Sequence, residues 1–546
     1  MSNAAEKTPE LPDDIGALKS IIDDNRVQLR ERDLRIAVLE EQLRLAAHKR
    51  FGVSSEKADP DQLGLFNEAE ATAATTPVPE ETAAGITVPG HVRQKPGRKP
   101  IPAGLPRVRI EHDIPDADKP CPCGSGHHRP RIGEVVSEQL DIIPAQVQVL
   151  QHARFKYGPC TQCDGVFPHV AVVAEGKAAA GQRELPRAVI VAPLPPQPIP
   201  KSNASPGTCA CIATAKFEDG LPLYRQEKML ARIGVDISRG TLAAWMIRLG
   251  ELVVPLINLM HETQVAYDVL QMDETTVQVL KEDGRPAQAK SRMWVRRGGE
   301  PGKSVILFDY EPTRSGAVAW RLLEDFKGFL QSDGYDGYAK VGQRDDVVHT
   351  GCLAHARRKF DEALKAQKAS GRGGLAAEGL ALIQKIYRIE KVAREAHLRP
   401  GQRHQLRNER SRPIWDELRA WLDRVRNHAP PSTLVGKALG YLDGQWPKLV
   451  RVLDDGRLEV DNNLCENAIR PFVLGRKAWL FSDTPAGAQA SARLYGLIET
   501  AKANGLEPYA YLRRVFAGLP KAVTAEDVEA LLPWNVTPPA TLSVAA

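Results

Sequence analysis

Three carboxylates, Asp273, Asp333 and Glu466, occupy local settings that suit metal-assisted phosphoryl transfer on nucleic acid. Asp273 lies in Val269-Leu270-Gln271-Met272-Asp273-Glu274-Thr275-Thr276-Val277, which reads as a strand. Asp333 closes the stretch Phe329-Leu330-Gln331-Ser332 and is followed by Gly334. Glu466 falls early in Asp461-Asn462-Asn463-Leu464-Cys465-Glu466-Asn467-Ala468-Ile469-Arg470, which reads as a capped helix. Mg²⁺ (or Mn²⁺) takes hard oxygen ligands and keeps several waters, so two or three carboxylates and a substrate phosphate complete its shell. Two such ions, roughly 4 Å apart, can clamp the attacking and leaving oxygens of an in-line displacement. On a strand, Asp273 and Thr275 face one way and Glu274 the other, so only one of the adjacent acids can enter a site. Asp309 and Asp336 are the nearest competing carboxylates. Glu466 and Arg470, four apart on a helix, equally suit a surface ion pair.

The order of elements around these acids is the test of that chemistry. Strand-like runs fall at 267–279, 291–297 and 304–310, the first two joined by a turn containing Asp283-Gly284. A helical pattern at 315–326, a strand at 328–332, a further helix, a strand at 347–350 and a helix at 353–368 complete a ribonuclease-H-like order. A first strand at the centre of such a mixed sheet sets Asp273 beside Asp333 at the neighbouring strand's end. The long interval before Glu466 requires a helical insertion, supplied by 365–440. Between Lys365 and Arg426 stand fifteen Lys and Arg against seven Asp and Glu, an excess that suits phosphate contacts or a solvated helical face.

At 546 residues the chain is too long for one core, and a net charge of +5 with 42% hydrophobic residues describes a globular protein. No apolar run reaches transmembrane length, and the N-terminus lacks signal-peptide order, so no membrane partner and a cytoplasmic, nucleoid-associated place are expected. Within an N-terminal segment, 1–57, residues 15–46 carry a heptad: Ile15, Ile22, Leu29, Ile36 and Leu43 share one position, and Leu18, Asn25, Arg32, Leu39 and Ala46 the other. That spacing predicts a coiled coil joining copies of the chain; a helix packed on its own protein is the alternative. Residues 58–104 have linker composition and end in a basic run in which Arg98 and Lys99 suit a narrow minor groove.

Residues 105–175 hold Cys121-Pro122-Cys123 and Cys160-Thr161-Gln162-Cys163, two knuckles able to gather four thiolates around a structural zinc. The first spacing is one residue short, and His127 or His128 could replace a cysteine. Cys209, Cys211 and Cys465 are expected to pack as small apolar groups. Within 176–262, helices over 223–234 and 238–250, with Ser238 as N-cap, outline a helix-turn-helix whose second helix bears Arg239, Thr241 and Arg248. Residues 263–364 form the first part of the catalytic core, 441–518 its last part, and 519–546 a tail. Cys352-x-x-His355 supplies two metal ligands; a packing role is favoured unless another residue completes the set.

The chain resembles transposases of the insertion-sequence 66 family. The resemblance rests on Ile199-Pro200-Lys201-Ser202, on Asp219-Gly220-Leu221-Pro222-Leu223-Tyr224-Arg225-Gln226-Glu227 and on Ser332-Asp333-Gly334-Tyr335. It continues in Cys352-Leu353-Ala354-His355-Ala356-Arg357-Arg358-Lys359-Phe360, in Glu466-Asn467-Ala468-Ile469-Arg470-Pro471 and in Leu474-Gly475-Arg476-Lys477-Ala478-Trp479. It implies a multidomain α+β protein with a retroviral-integrase-like core, in which Asp273, Asp333 and Glu466 are the DDE triad. Asp273 would bridge two Mg²⁺ ions, Asp333 bind one and Glu466 the other. Cleavage at element ends and strand transfer into target DNA follow, with Arg357, Arg358, Lys359, Arg476 and Lys477 on phosphates. Accessory proteins of the same element are further implied partners. Rival readings are a metal-dependent nuclease that cuts without joining and a DNA-binding regulator with an idle triad. The heptad carries its own test: an isolated peptide of residues 15–46 should self-associate in sedimentation experiments, and a monomer at high concentration would remove the coiled coil.

Overall fold

A computed structural model describes residues 14–51, 148–153, 155–157, 190–191, 194–366 and 374–537. The chain divides into two units, Met1–Pro79 with Gln197–Val536, and Glu80–Pro196 with Thr537–Ala546. In the second unit Lys156–Tyr157 pairs antiparallel with Ile190–Val191. The expected zinc ligands Cys121, Cys123, Cys160 and Cys163, the alternates His127 and His128, and the basic pair Arg98 and Lys99 all lie outside the described residues.

The first unit opens with helix α1 (Ile15–Phe51). Four helices follow: α2 (Pro206–Phe217), α3 (Leu223–Arg232), α4 (Arg239–Leu252) and α5 (Val254–Val265). Ser238 caps α4 as its sequence position suggests, its Oγ accepting the Thr241 N–H at 3.2 Å. Strands β1 (Val269–Gln278), β2 (Lys290–Gly298) and β3 (Val305–Glu311) then form an antiparallel meander. Gly284, at a φ of +71° in the β1–β2 connection, takes a conformation that costs other residues free energy. After α6 (Gly316–Leu322) the chain crosses to β4 (Gly328–Gln331), parallel to β1, and then to β5 (Val347–Thr350), parallel to β4. The sheet order is β3-β2-β1-β4-β5, so β1 is central and Gln271 pairs with Gln331 beside the β4 terminus.

Alternation along β1 assigns its two faces. Leu270 and Met272 join Trp294, Val318, Leu322 and Leu330 in the core beneath α6. Val277 packs with Val295, Phe308, Phe472 and Tyr495 in the larger core on the opposite face. Asp273 therefore shares the latter face, and Glu274 the former. The chain between β4 and β5 departs from expectation: two 3₁₀ turns, Asp336–Tyr338 and Val341–Gln343, stand where a helix was expected. Three glycines in this stretch weaken a helix, and Gly337 lies so close to the Tyr335 ring that a Cβ there would come within 2.1 Å of it.

Helix α7 (Leu353–Ala366) leaves the sheet toward the insertion, built from α8 (Leu375–Glu395), α9 (Pro400–Leu406), a π-turn (Arg407–Ser411), α10 (Arg412–Val425) and α11 (Leu434–Leu449). Its core joins Phe360, Ile383, Tyr387, Trp415, Leu418, Leu439 and Leu442. Part of the segment's basic excess is spent internally. Buried Arg407 forks onto both Glu390 oxygens at 2.8 Å and donates to the Val452, Asp455 and Leu458 carbonyls. Arg403 bridges Glu390 and Glu459, and Arg419 pairs with Asp443 at 2.9 Å. The chain then returns through α12 (Asn463–Trp479), α13 (Pro485–Ala503) and α14 (Pro508–Gly518).

Helix α1 carries two stripes. Leu34, Val38, Glu41 and Leu45 are partly buried, with Arg44 donating to the Ala366 carbonyl at 2.9 Å and Glu41 accepting the Leu434 N–H at 3.0 Å. The heptad residues Ile15, Ile22, Leu29, Ile36 and Leu43 remain exposed, 70% at Ile15 and 71% at Leu43. Cys209 and Cys465 are buried as expected, but Cys211 is exposed, because α2 turns that side outward. Among the described residues no single helix is long and apolar enough to cross a membrane. The Arg407 staple makes a stability prediction. Arg407→Ala leaves buried Glu390 with Arg403 alone and takes the donor from the Val452, Asp455 and Leu458 carbonyls. It should cost about 3–5 kcal/mol in chemical denaturation, whereas loss under about 1 kcal/mol would show the pair is not structural.

Candidate active site

Asp273, Asp333 and Glu466 arrive from three elements: the centre of β1, the residue pair beyond β4, and the first turn of α12. Burial pushes the Asp273 carboxyl well above its usual range, with the charges of Glu466, Glu274 and Asp333 adding to the effect. Burial likewise pushes Glu466 up to about 7, opposed by Arg358 and reinforced by Asp461 and Asp333. Asp273 thus feels the charges of both Glu466 and Asp333, and Glu466 feels that of Asp333. Glu466 is 5% exposed, and its Oε1 has no hydrogen-bond partner among the described residues. A buried carboxylate with one oxygen lacking a donor, and with Asp461 and Asp333 near enough to disfavour its charge, is a setting that a divalent cation relieves, so the donor set fits a hard metal ion.

Local bonds fix each acid. Asp273 Oδ1 accepts the Glu274 N–H at 2.8 Å. Asp333 Oδ1 accepts the Tyr335 N–H at 3.0 Å, an Asx-type turn that orients the carboxylate beyond the strand. Gly334 lets the insertion approach this turn, since a Cβ there would lie 2.9 Å from the Tyr441 hydroxyl. Asp461, not Asn462, organises the start of α12, accepting the Asn463 N–H at 3.1 Å and the Tyr387 hydroxyl at 3.0 Å. Fully buried Asn462 ties that start to the sheet: its Nδ2 donates to the Met272 carbonyl at 3.1 Å and its backbone N–H to Cys352 Sγ at 3.2 Å. One side chain thereby sets the distance between the residue before Asp273 and the helix bearing Glu466.

Several neighbours carry no sequence signal of their own. Arg314, from the loop before α6, pairs with Glu274 and lies 3.8 Å from Asp333 while stacking 3.6 Å over the Tyr335 ring. Tyr338 donates to the other Glu274 oxygen at 2.8 Å. Glu274, which alternation turns away from the acids' face, is thus a counter-charge holding Arg314 beside the second aspartate. His355 Nδ1 stands 4.0 Å from Glu466 Oε1, the neighbour that could complete the Cys352–His355 set. Of the competing acids, Asp309 is occupied by Arg296 at 3.0 Å and Asp336 is exposed at the start of a 3₁₀ turn.

The expected phosphate ligands separate into two groups. Arg239, Arg248 and Lys477 are exposed, and Arg358 and Lys359 partly so, with Lys359 lying 5.0 Å over the Tyr441 ring. Arg357 is only 4% exposed because its helical position faces the insertion core, which argues against a direct phosphate contact. Arg476 donates to the hydroxyls of Thr275 at 3.2 Å and Thr276 at 2.9 Å and to the Thr276 carbonyl, so it fastens α12 to β1.

The burial of Glu466 beside other acids has a consequence of definite sign. Glu466 titrates near 7 in the fold against about 4.3 unfolded, so it withdraws stability as pH rises through that window. Metal-free Glu466→Gln should therefore exceed the wild type by about 1–3 kcal/mol in denaturation at pH 8, the difference closing below about pH 4.5. Equal stability at both pH values would mean that the carboxylate is not crowded.

Four family models match parts of the chain. The Transposase IS66 family matches residues 201–490, and the IS66 C-terminal element matches residues 496–534. A zinc-finger binding domain of transposase IS66 matches residues 118–164, and a segment described as transposase C of IS166 homeodomain matches residues 38–110. Similar full-length relatives include two uncharacterized proteins of Sinorhizobium fredii (strain NBRC 101917 / NGR234). One, y4qI, is 29% identical across 97% of this chain and 98% of its own length. The other, y4jD, is 30% identical across 80% of this chain and 81% of its own length.

Proposed function

The chain belongs to the IS66 family of transposases, and from that premise we propose that it cuts DNA at the ends of its element and joins the freed 3′ ends to target DNA. Family membership makes DNA its substrate and divalent metal its requirement. The finer reading is a DDE mechanism on a ribonuclease-H-like core, supported by the central β1 in the order β3-β2-β1-β4-β5. The observation that supports it most is geometric: Asp273 lies on the central strand, Asp333 just beyond the parallel neighbouring strand, and Asn462 ties the start of the Glu466 helix to the Met272 carbonyl, with Asp273 feeling the charges of both other acids.

Asp273, Asp333 and Glu466 would hold two Mg²⁺ or Mn²⁺ ions, which when bound lower the pKa of the attacking water or 3′-hydroxyl and stabilise the leaving oxygen. The chain's own residues position these ligands. The Asx turn aims Asp333, Asn462 fixes the start of α12 against β1, and Arg314 brings fixed positive charge to the Asp333 side. No side chain is needed as a general base in this scheme, because both nucleophiles are oxygen acids activated at the ligand set. Arg358 and Lys359, partly exposed on α7, would draw the phosphate backbone toward the acids, a contribution that weakens with salt.

The remaining modules would serve the ends and their pairing. Helices α3 and α4 would act as a helix-turn-helix, with Arg239, Thr241 and Arg248 exposed on the second helix. Residues 118–164 would bind zinc through Cys121, Cys123, Cys160 and Cys163. The exposed heptad stripe of α1 would pair protomers, since two ends must be brought together. Cytoplasmic action on the nucleoid and help from other proteins of the element belong to this reading. Asp273→Asn should abolish Mg²⁺-dependent cleavage of end DNA, by at least about 10³-fold, while leaving end binding in gel-shift assays intact. Retained cleavage would reject the assignment, and cleavage without joined product in the wild type would reduce the activity to that of a nuclease.

A further inference from the structure

Cys352, His355 and Glu466 bring one ligand atom each within 4.8 Å of one another. Cys352 is fully buried immediately before α7, and His355 follows three residues later, one turn along the same helical face. Glu466 reaches them from α12. His355 Nδ1 and Glu466 Oε1, 4.0 Å apart, are both buried and without hydrogen-bond partners among the described residues. The sulfur receives backbone N–H groups from Asn462, at 3.2 Å, and from His355. Burial, with Glu466 and Asp461 nearby, pushes the Cys352 thiol well up, and the paired N–H donors oppose that by stabilising negative charge on sulfur. Three unlike donors thus converge, with the His355 and Glu466 atoms still lacking a hydrogen-bond partner among the described residues.

We propose that Cys352, His355 and Glu466 form a second metal site, distinct in chemistry from the all-carboxylate one, that takes a soft divalent ion of the zinc class. Thiolate and imidazole select such ions over Mg²⁺, and three protein ligands leave a fourth, open position. Binding requires Cys352 to release its proton to solvent as the sulfur–metal bond forms. Zinc bonds of about 2.0–2.3 Å ask the three donors to close by roughly an ångström, within the reach of side-chain rotation. Glu466 is shared with the proposed catalytic set, so occupancy by the softer ion competes for that carboxylate; only this consequence rests on the DDE reading.

Full-length protein, dialysed against Zn²⁺ in excess Mg²⁺, tests the site by bound zinc per chain. Wild type, Cys352→Ala, His355→Ala and Glu466→Gln are compared, and the thiolate-to-metal absorption of the Co²⁺-loaded proteins is read in parallel. The cysteines of residues 118–164 contribute equally to all four proteins. The expected result is one zinc fewer in Cys352→Ala, a zinc affinity at least tenfold weaker in His355→Ala and Glu466→Gln, and reduced cobalt–thiolate absorption in Cys352→Ala. Equal zinc content, affinity and absorption across the four folded proteins would overturn the site, whatever the cleavage assays show. Because His355 is partly exposed, its variant keeps the test open if Cys352→Ala fails to fold.

Discussion

Like charges held close together in a poorly solvated pocket are the constraint around which this molecule is built. Asp273 and Glu466 both resist ionisation where they stand, and each is made harder to ionise by the other acids. Nothing in those side chains favours their meeting. The surrounding scaffold must hold them there, and it does so with hydrogen bonds, those of Arg476 and Arg407 among them, and with apolar packing. Asn462 fastens the helix start to the Met272 carbonyl, the Gln271–Gln331 pair bonds at 2.8 Å across β1 and β4, and Phe472 seats α12 against Phe308 and Tyr495. On the proposed reading a cation supplied from solution would offset the repulsion, which would make metal affinity a property of the fold as much as of the ligands.

The insertion participates in that scaffold. Arg407 binds the carbonyls of Val452, Asp455 and Leu458, in the segment that leads into Asp461 and α12. Tyr387 on α8 donates to Asp461, and Tyr441 on α11 touches the Asp333 turn through the space left by Gly334. The long stretch between the second and third acids therefore sets the position of both. Its positive charge is partly committed to this work, as the Arg403 and Arg407 contacts with Glu390 show.

The acids and their elements were legible because residue type and element boundary coincide at each: a strand pattern at Asp273, a strand end before glycine at Asp333, and a helix start at Glu466. Their support was not. Arg314 sits in a loop with no periodicity to mark it, and the use of Glu274 as its counter-charge depends on Tyr335 and Tyr338 folding back from beyond β4. The expected helix there gave way to 3₁₀ turns because glycine spacing matters more than composition in so short a stretch. In α1 the heptad was readable, but the inward stripe of Leu34, Val38 and Leu45 is interleaved with it and has no separate signature. Arg357 and Arg476 were read as basic and hence outward, whereas helical phase places one in the core and the other on β1.

The central claim is that three side chains distant along the chain coordinate divalent cations together. Anomalous scattering from crystals of the full chain with element-end DNA and Mn²⁺ measures this directly. The account predicts manganese peaks contacted by Asp273, Asp333 and Glu466, with a DNA phosphate completing the shell. Manganese held elsewhere, or Glu466 turned beyond coordinating reach in that complex, would contradict it.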